Sequence, residues 1–502
     1  MDLQASAFNS VIDPMLGDDV IPLCEIAKNL EEAGEFERAA ETLNAFWSGL
    51  PNWPKTKGLN EEAKAELLLR TGTLTGWLGS ARQFSGAQEV AKDLISESAE
   101  IFDHLGNTEK VAEARVDLAI CYWREGGLDE ARVTLRLVLD GLGESGSEQR
   151  LRVLLNSALV EWSATRDRDA LRICTEAAPL FNVSSNDALK GKFHNTYAAV
   201  LRSMGTAENG EDYIDRALLE YAAASYHFEQ AGHKRFQARV ENNVGFLFAT
   251  IGRFAEAQEH LTHSRALSLS VGDLGGAAGA EDSRAQAFLL ERKYEQAENS
   301  ARVAVRSLGH GGEQAMLAEA LTTHGKALAR LNQTHVAKTT LDQAVEIAQN
   351  AGNPDRGGIA ALTAIEELSN HLSASTLQYY YRTADTLLSN SQNLSIKTRL
   401  GECARRVLSV ELAEANAVAP PTSAAYTVTM EPGFSLDTEV LRYEGDLIRR
   451  ALKESGGSVT RAARLLGVTH QGLAFILNGR HSDLLSIRTP VKRRRRSIIR
   501  HH

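Results

Sequence analysis

Small and apolar residues recur along most of this chain at the spacing of one helix face, and they do so on a fixed long period. Ala217, Ala257, Ala297 and Ala337 stand 40 residues apart. Four positions later come Tyr221, Leu261, Ala301 and Leu341, and seven positions later Ala224, Ser264, Ala304 and Ala344. Offsets of 0, +4 and +7 share one side of an α-helix, so each set predicts a helix with a narrow packing stripe. A partner helix precedes it. In one unit Val244, Gly245 and Phe248 run into Gly252, and in another Gly325 and Leu328 mark the place. The layout appears earlier as Leu118, Ala119, Tyr122, Gly126, Ala131 and Leu135, and again as Ile26, Ala27, Leu30, Gly34, Ala39 and Leu43. Small residues let paired helices approach closely, and glycine turns the chain between them. Eight or nine such pairs fit between Ile21 and Asn390, with irregular units near Leu74, Trp162 and Tyr197. One pair cannot bury its own apolar face, so the pairs must stack.

The pattern fades after Asn390. Pro420, Pro421, Pro432 and Gly433 then oppose a continuous helix and predict a linker of limited flexibility. Beyond it the periodicity returns as three short helices. Asp437 or Thr438 caps the first, whose apolar face is Leu441, Leu447, Ile448, Ala451 and Leu452, and Gly456 and Gly457 end it. Ser458 caps the second, in which Ala462, Ala463, Leu465 and Leu466 turn inward. Gly467 makes the turn, and Thr469 caps a third helix with Leu473, Ile476 and Leu477 as its buried stripe. A helix, a glycine turn and a second short helix form a helix-turn-helix.

The long array resembles the tetratricopeptide repeat, in a form longer than the usual 34 residues. That resemblance implies an α-solenoid that binds a protein or peptide on its concave side. The C-terminal block is similar to the Fis-type helix-turn-helix. Tyr443, Glu444, Ile448, Ala451, Leu452, Gly456, Gly457, Ala462, Ala463, Leu466, Gly467, Val468 and Leu473 carry the likeness. By this likeness the start of the last helix, Thr469, His470, Gln471 and Gly472, contacts bases of double-stranded DNA, and Gln471 suits adenine. Thr460 and Arg461, before the turn, and Arg480, after the last helix, are expected to hold backbone phosphates. Fis-type modules pair, so the resemblance also implies a homodimer. Ala474 and Phe475 stand where the family commonly has basic residues. The tail, with Lys492, Arg493, Arg494, Arg495 and Arg496, is expected to supply the missing phosphate contacts.

Charge sharpens this division. The chain carries a net charge of −10, yet from Val440 onward fourteen basic residues face four acidic ones. That leaves about −20 on the rest, so only the C-terminal end is expected to meet a polyanion. Cys24, Cys121, Cys174 and Cys403 are scattered without a C-x-x-C pair, as small buried residues of a reducing compartment would be. No basic-then-apolar leader pattern opens the chain, and no apolar run reaches about 18 residues, so neither a signal peptide nor a membrane span is expected. Cytoplasmic location is the default.

Catalytic signatures are missing. Gly191-Lys192 and Gly325-Lys326 lack the rest of a phosphate-binding loop, and neither H-E-x-x-H nor G-x-S-x-G occurs. His260, His263 and Glu256 share a helix face at ligand-like spacing, but a solvated face explains them with no fourth ligand in view. The tyrosines Tyr379 to Tyr381 read as packing in a repeat helix.

The expectation is therefore an all-α chain that binds no cofactor. It has an N-terminal segment at 1–20, a tetratricopeptide-like α-solenoid at 21–390, a terminal helix and linker at 391–436, a helix-turn-helix domain at 437–486 and a basic tail at 487–502. Its expected role is that of a DNA-binding transcriptional regulator whose array binds a protein or peptide. The alternatives are a protein–protein adaptor without DNA binding and a switch in which a peptide in the array alters DNA affinity.

Overall fold

The computed structural model describes residues 20–142, 147–208, 210–309, 311–418 and 435–487, and all regular structure among them is helical. The chain divides into two compact units, Met1–Val418 and Ala419–His502. The linker prolines and the basic tail, including Lys492, Arg493, Arg494, Arg495 and Arg496, lie outside the described residues.

In the first unit helices pack in chain order as hairpins. They are α1 (Val20–Glu32) with α2 (Phe36–Thr42), α3 (Glu61–Ala81) with α4 (Ala87–His104), and α5 (Thr108–Glu125) with α6 (Leu128–Leu142). Next come α7 (Glu148–Ser163) with α8 (Asp167–Asn182), α9 (Asp187–Glu208) with α10 (Glu211–Gln230), and α11 (Lys234–Thr250) with α12 (Phe254–Ser270). The last three pairs are α13 (Leu274–Leu290) with α14 (Tyr294–Leu308), α15 (Gln314–Arg330) with α16 (Thr334–Asn350), and α17 (Pro354–Leu368) with α18 (Ala374–Leu387). A single helix, α19 (Leu394–Val418), closes the stack against α17 and α18. This is a tetratricopeptide-like α-solenoid.

The twelve stripe residues from Ala217 to Ala344 are all buried. The structure extends their period. Ala39, Ala131, Ala170 and Leu377 occupy the same fourth position of their helices, Ala91 the fifth, and all five are buried. The interval is 40 from Ala91 to Ala131 and from Ala337 to Leu377. It stretches where α9 runs to 22 residues and where a loop precedes the 21-residue α3. Those two places are the irregular units near Tyr197 and Leu74. Ile26 differs from expectation: it is half exposed, and Cys24 and Ala27 carry the buried face of α1. Burial pushes all four thiols up to about 12. Tyr380 is buried and donates to Asp342, while Tyr379 is exposed.

Helix starts follow the same period. His233, Asp273 and Asn353 each accept from the backbone N–H three residues on, at 3.4, 2.8 and 3.2 Å. The intervening position, Glu313, caps nothing. Its carboxylate accepts instead from Ser80 and from Gln83, more than two hundred residues upstream. Similar long-range links recur. Arg235 reaches Glu37 at 2.6 Å, Thr165 donates to Asp355 at 2.9 Å, and Asn393 donates to Asp167 at 2.7 Å. Gln392 donates to Asp169 at 2.8 Å. The superhelix therefore coils tightly enough for later pairs to touch earlier ones along a polar seam, with the first pair against the sixth.

The second unit is built from α20 (Leu436–Glu454), α21 (Val459–Leu465) and α22 (His470–Asn478), followed by a 3₁₀ turn over Ser482–Ile487. Ile448, Ala451, Leu452, Val459, Ala462, Ala463, Leu473 and Leu477 form its core, and Leu484 from the 3₁₀ turn closes it. Among the described residues no helix is long and apolar enough to cross a membrane.

Candidate functional sites

The helix-turn-helix is shaped by backbone chemistry at its two breaks. Gly456 and Gly457 adopt φ of +60° and +78°, and the Gly457 N–H reaches back to the Leu452 carbonyl at 2.8 Å, which ends α20. Gly467 takes φ +66° between α21 and α22. Thr469 then accepts from the Gly472 N–H at 3.0 Å and caps α22. Three sequence expectations need correction. Ser435, not Asp437 or Thr438, caps α20, accepting from Thr438 N–H at 3.4 Å. Ser458 makes no side-chain cap bond. Leu465 is 59% exposed, Ala462 and Ala463 filling the crossing in its place, and Leu441 and Leu447 on α20 are each more than a third exposed.

The expected contact residues divide into two groups. Thr460, Arg461, Thr469, His470 and Gln471 are all exposed around the start of α21 and α22. Arg480 is also exposed, but its guanidinium is paired with Glu444, whose other oxygen meets His481 Nε2 at 2.9 Å. These two contacts hold the Glu444 carboxyl below its ordinary value. Arg480 must therefore leave or share Glu444 to hold a phosphate. Sequence reasoning missed the rest of the outer face of α22. Gln471, Phe475 and Asn478 follow one another at helical spacing, all exposed, opposite Leu473 and Leu477. Phe475 is 82% exposed, in the middle of a helix with a complete core beneath it. The signal was available, since +4 and +7 from Gln471 name both residues.

Residues 442–474 match the family described as bacterial regulatory protein, Fis family. The C-terminal unit is a Fis-type helix-turn-helix. The match spans Arg442 of α20 to Ala474 of α22, so it includes the glycine breaks and the Thr469 cap but stops short of Phe475, Asn478 and Arg480. The chain matches no curated protein. Among solved structures it is similar to a Rap protein complexed with competence and sporulation factor. The TM-score is 0.53 with 14% identity over 77% of this chain and 99% of that one. It also aligns with a signal transduction ATPase with numerous domains carrying a tetratricopeptide repeat sensor from Pyrococcus horikoshii (TM-score 0.38, 13% identity, 77% and 54% covered). A third alignment is with yeast Tom70 (TM-score 0.39, 10% identity, 81% and 85% covered). At such identities the Rap likeness speaks for the solenoid fold.

A second site lies inside the solenoid. A cavity of about 160 Å³ is walled almost entirely by the first helices of six successive pairs, α1, α3, α5, α7, α9 and α11, with Phe36 added from α2. Along one side runs a charge network that leaves Glu31 Oε1 and Arg70 Nε without a hydrogen-bond partner. Arg70 donates to Glu31 at 2.7 Å and Glu113 at 2.6 Å, and Lys28 meets Glu113 at 2.9 Å. Burial pushes Glu31 up to about 7, against the pull of Arg70. Burial also works against the Glu113 charge, but Arg70, Lys28 and Lys110 outweigh it and bring that carboxyl down to about 2. The other side is aromatic and cationic. Phe36 stacks on Trp77 with centroids 4.8 Å apart, and the Arg124 guanidinium lies 3.9 Å from the centre of the Trp77 ring. Elsewhere in the array, His260 and His263 both turn to Glu241 and Glu256 pairs with Arg253, so those three residues do not converge.

Proposed function

We propose that this chain is a DNA-binding transcriptional regulator whose solenoid binds a peptide ligand. The observation that carries the DNA reading is the exposed outer face of α22 on a Fis-type module. Gln471 suits the N6 and N7 edge of adenine, Phe475 suits the thymine methyl group, and Asn478 repeats the adenine preference. No arginine or lysine stands on that face to read guanine, so the contacted positions should be A·T pairs. Thr460, Arg461 and His470 flank the face, and the tail residues Lys492 to Arg496 add affinity without sequence preference. The peptide reading is supported by the cavity inside the solenoid and by a solenoid fold shared with a Rap protein complexed with competence and sporulation factor. The helix-turn-helix module and the solenoid fold favour a regulatory role.

Pairing of two modules is part of this proposal. Leu436, Val440, Tyr443 and Leu447 form an exposed apolar stripe along α20, roughly a third of a turn away from the face that packs on α21 and α22. A second copy of the stripe would cover it and set two recognition helices in two half-sites.

Site selection from random duplexes with the full chain tests the reading. The expected product is an imperfect palindrome with A·T pairs at the contacted positions and half-sites about one helical turn apart. Val440→Glu should abolish the palindrome while leaving a half-site preference. Truncation after Pro490 should flatten the salt dependence of binding by up to about five logarithmic units per decade, with the preferred sequence kept. Selection of no sequence at any salt concentration would leave the adaptor as the better reading.

A further inference from the structure

The cavity has a surplus of positive charge in an otherwise acidic array. Its lining contains six cations and four carboxylates, two positive charges in excess. Each carboxylate has a partner on the wall, although Glu31 Oε1 is left without one. Glu31 and Glu113 belong to the Arg70 network, Glu32 pairs with Arg152 at 2.5 Å, and Asp117 accepts from Thr73 at 2.7 Å. Three cations have no carboxylate within ion-pair distance among the described residues: Arg124, Lys192 and Arg239. Arg124 is only 6% exposed, and its buried Nη2 has no hydrogen-bond partner. Burying a cation with no counter-ion is strongly unfavourable, so its retention needs a reason. The three converge on the same aromatic wall. Arg239 lies 5.8 Å from the Trp77 centroid and 5.1 Å from that of Phe236, and Lys192 lies 5.0 Å from Phe236. Burial lowers Arg124 from the ordinary arginine range against the pull of Cys121, Glu313 and Asp117, and brings Lys192 down to about 8 against that of Glu32 and Asp117.

Neutral amides share the cavity wall with them. Gln149 and Asn156 on α7 and Asn195 on α9 line the space, and the buried Nε2 of Gln149 is without a partner. Such groups match a peptide backbone, which offers both donors and acceptors. The volume has room for roughly ten water molecules, enough for the last one or two residues of a peptide and far too little for a folded partner.

We propose, building on the peptide-binding reading above, that this cavity holds the C-terminal carboxylate of a short peptide. Arg124, Lys192 and Arg239 supply the counter-charge, Trp77, Phe36 and Phe236 pack its last apolar side chain, and Gln149 and Asn156 bond its backbone. Arginine suits this task because its planar fork accepts a carboxylate in two parallel bonds while its face stacks on an aromatic ring.

The test uses the full chain and a combinatorial mixture of tetrapeptides in two forms, free acids and C-terminal amides. Octanoate and phenylacetate form a third arm. Retention is read by mass spectrometry after rapid gel filtration. Free-acid peptides should be enriched at least tenfold over the amides, with an apolar last residue. Arg124→Met should remove that enrichment and raise the melting temperature of the unliganded chain, because it removes an unpaired buried charge. Lys192→Met should weaken retention as well. Equal retention of acids and amides would overturn the carboxylate assignment and leave the peptide reading standing. Retention of the simple acids but no peptide would overturn the peptide reading. Retention of nothing, or an Arg124→Met chain that melts lower and still enriches free acids, would overturn the proposal.

Discussion

At the scale of single residues, the outer face of α22 makes the sharpest claims. Phe475 touches so little of the protein that its side chain cannot be there for stability. Phe475→Ala should leave the unfolding midpoint of the module unchanged or slightly raised, alanine being the better helix former. In site selection it should relax the thymine at one position per half-site. Gln471→Ala should instead relax an adenine and weaken the preferred duplex by about 1–3 kcal/mol. A Phe475→Ala chain that melts early and selects the same sequence would show that the ring packs rather than reads. The residues of this face were legible from their spacing, yet the scarcity of cations drew attention away from what replaced them. The cavity cations were not legible. Arg124, Lys192 and Arg239 lie on three different helix pairs, and nothing in the local pattern of α5, α9 or α11 says that these faces meet around one cavity. The pairing of Arg480 was not legible either, because its partner, Glu444, sits 36 positions earlier on α20.

At the scale of elements, the 40-residue period describes a contact as well as a pattern. A Cβ at Gly245 would lie 2.7 Å from Leu261 Cγ and 3.0 Å from the Ala257 carbonyl oxygen. A Cβ at Gly325 would lie 2.6 Å from Leu341 Cγ and 3.4 Å from the Ala337 oxygen. Both glycines let the first helix of a pair ride directly on the alanine stripe of the second. Gly245→Ala should therefore destabilise the array by about 1–3 kcal/mol through overpacking, despite a gain in helix propensity. Chemical denaturation would read this as a lower midpoint at unchanged slope. This contact could be inferred from sequence because it is local, between helices joined by a short turn. The units that escaped the pattern did so for a physical reason. The loop and the 21-residue α3 set Ala91 52 residues after Ala39, and the 22-residue α9 sets Ala217 47 residues after Ala170, so a fixed interval of 40 breaks at those two places.

At the scale of the solenoid, the polar seam ties stability to pH. Burial pushes Asp355 up to about 6, with Thr165 donating to it and Arg356, Arg132 and Asp129 acting at longer range. Its folded value lies above its unfolded one. The stabilisation from the protonated form is thus complete below about pH 4 and lost as pH rises through 6. Asp355→Asn keeps the acceptor for Thr165 and removes the charge. It should raise stability at pH 7.5 by about 1–2 kcal/mol and flatten the slope of unfolding free energy between pH 5 and 7. Melting curves across that range would check it, and a steeper slope in the variant would count against the assignment. Nothing in the sequence announced the seam. Its partners are separated by about two hundred positions, and their pairing depends on how many hairpins complete one superhelical turn.

That seam also changes what kind of container the solenoid is. In an open stack each pair holds only its neighbours, so a terminal pair can peel away and admit a ligand from the side. Here the six pairs that wall the cavity include the first and the sixth, and Arg235 fastens the sixth back onto Glu37 of the first. A loop of protein is thereby sealed around the ligand space. A ligand held there, as proposed, would leave through the remaining opening or wait for the seal to part. Its dwell time is then governed by a latch that it never touches, and the affinity of the cavity and the lifetime of its complex become separately adjustable.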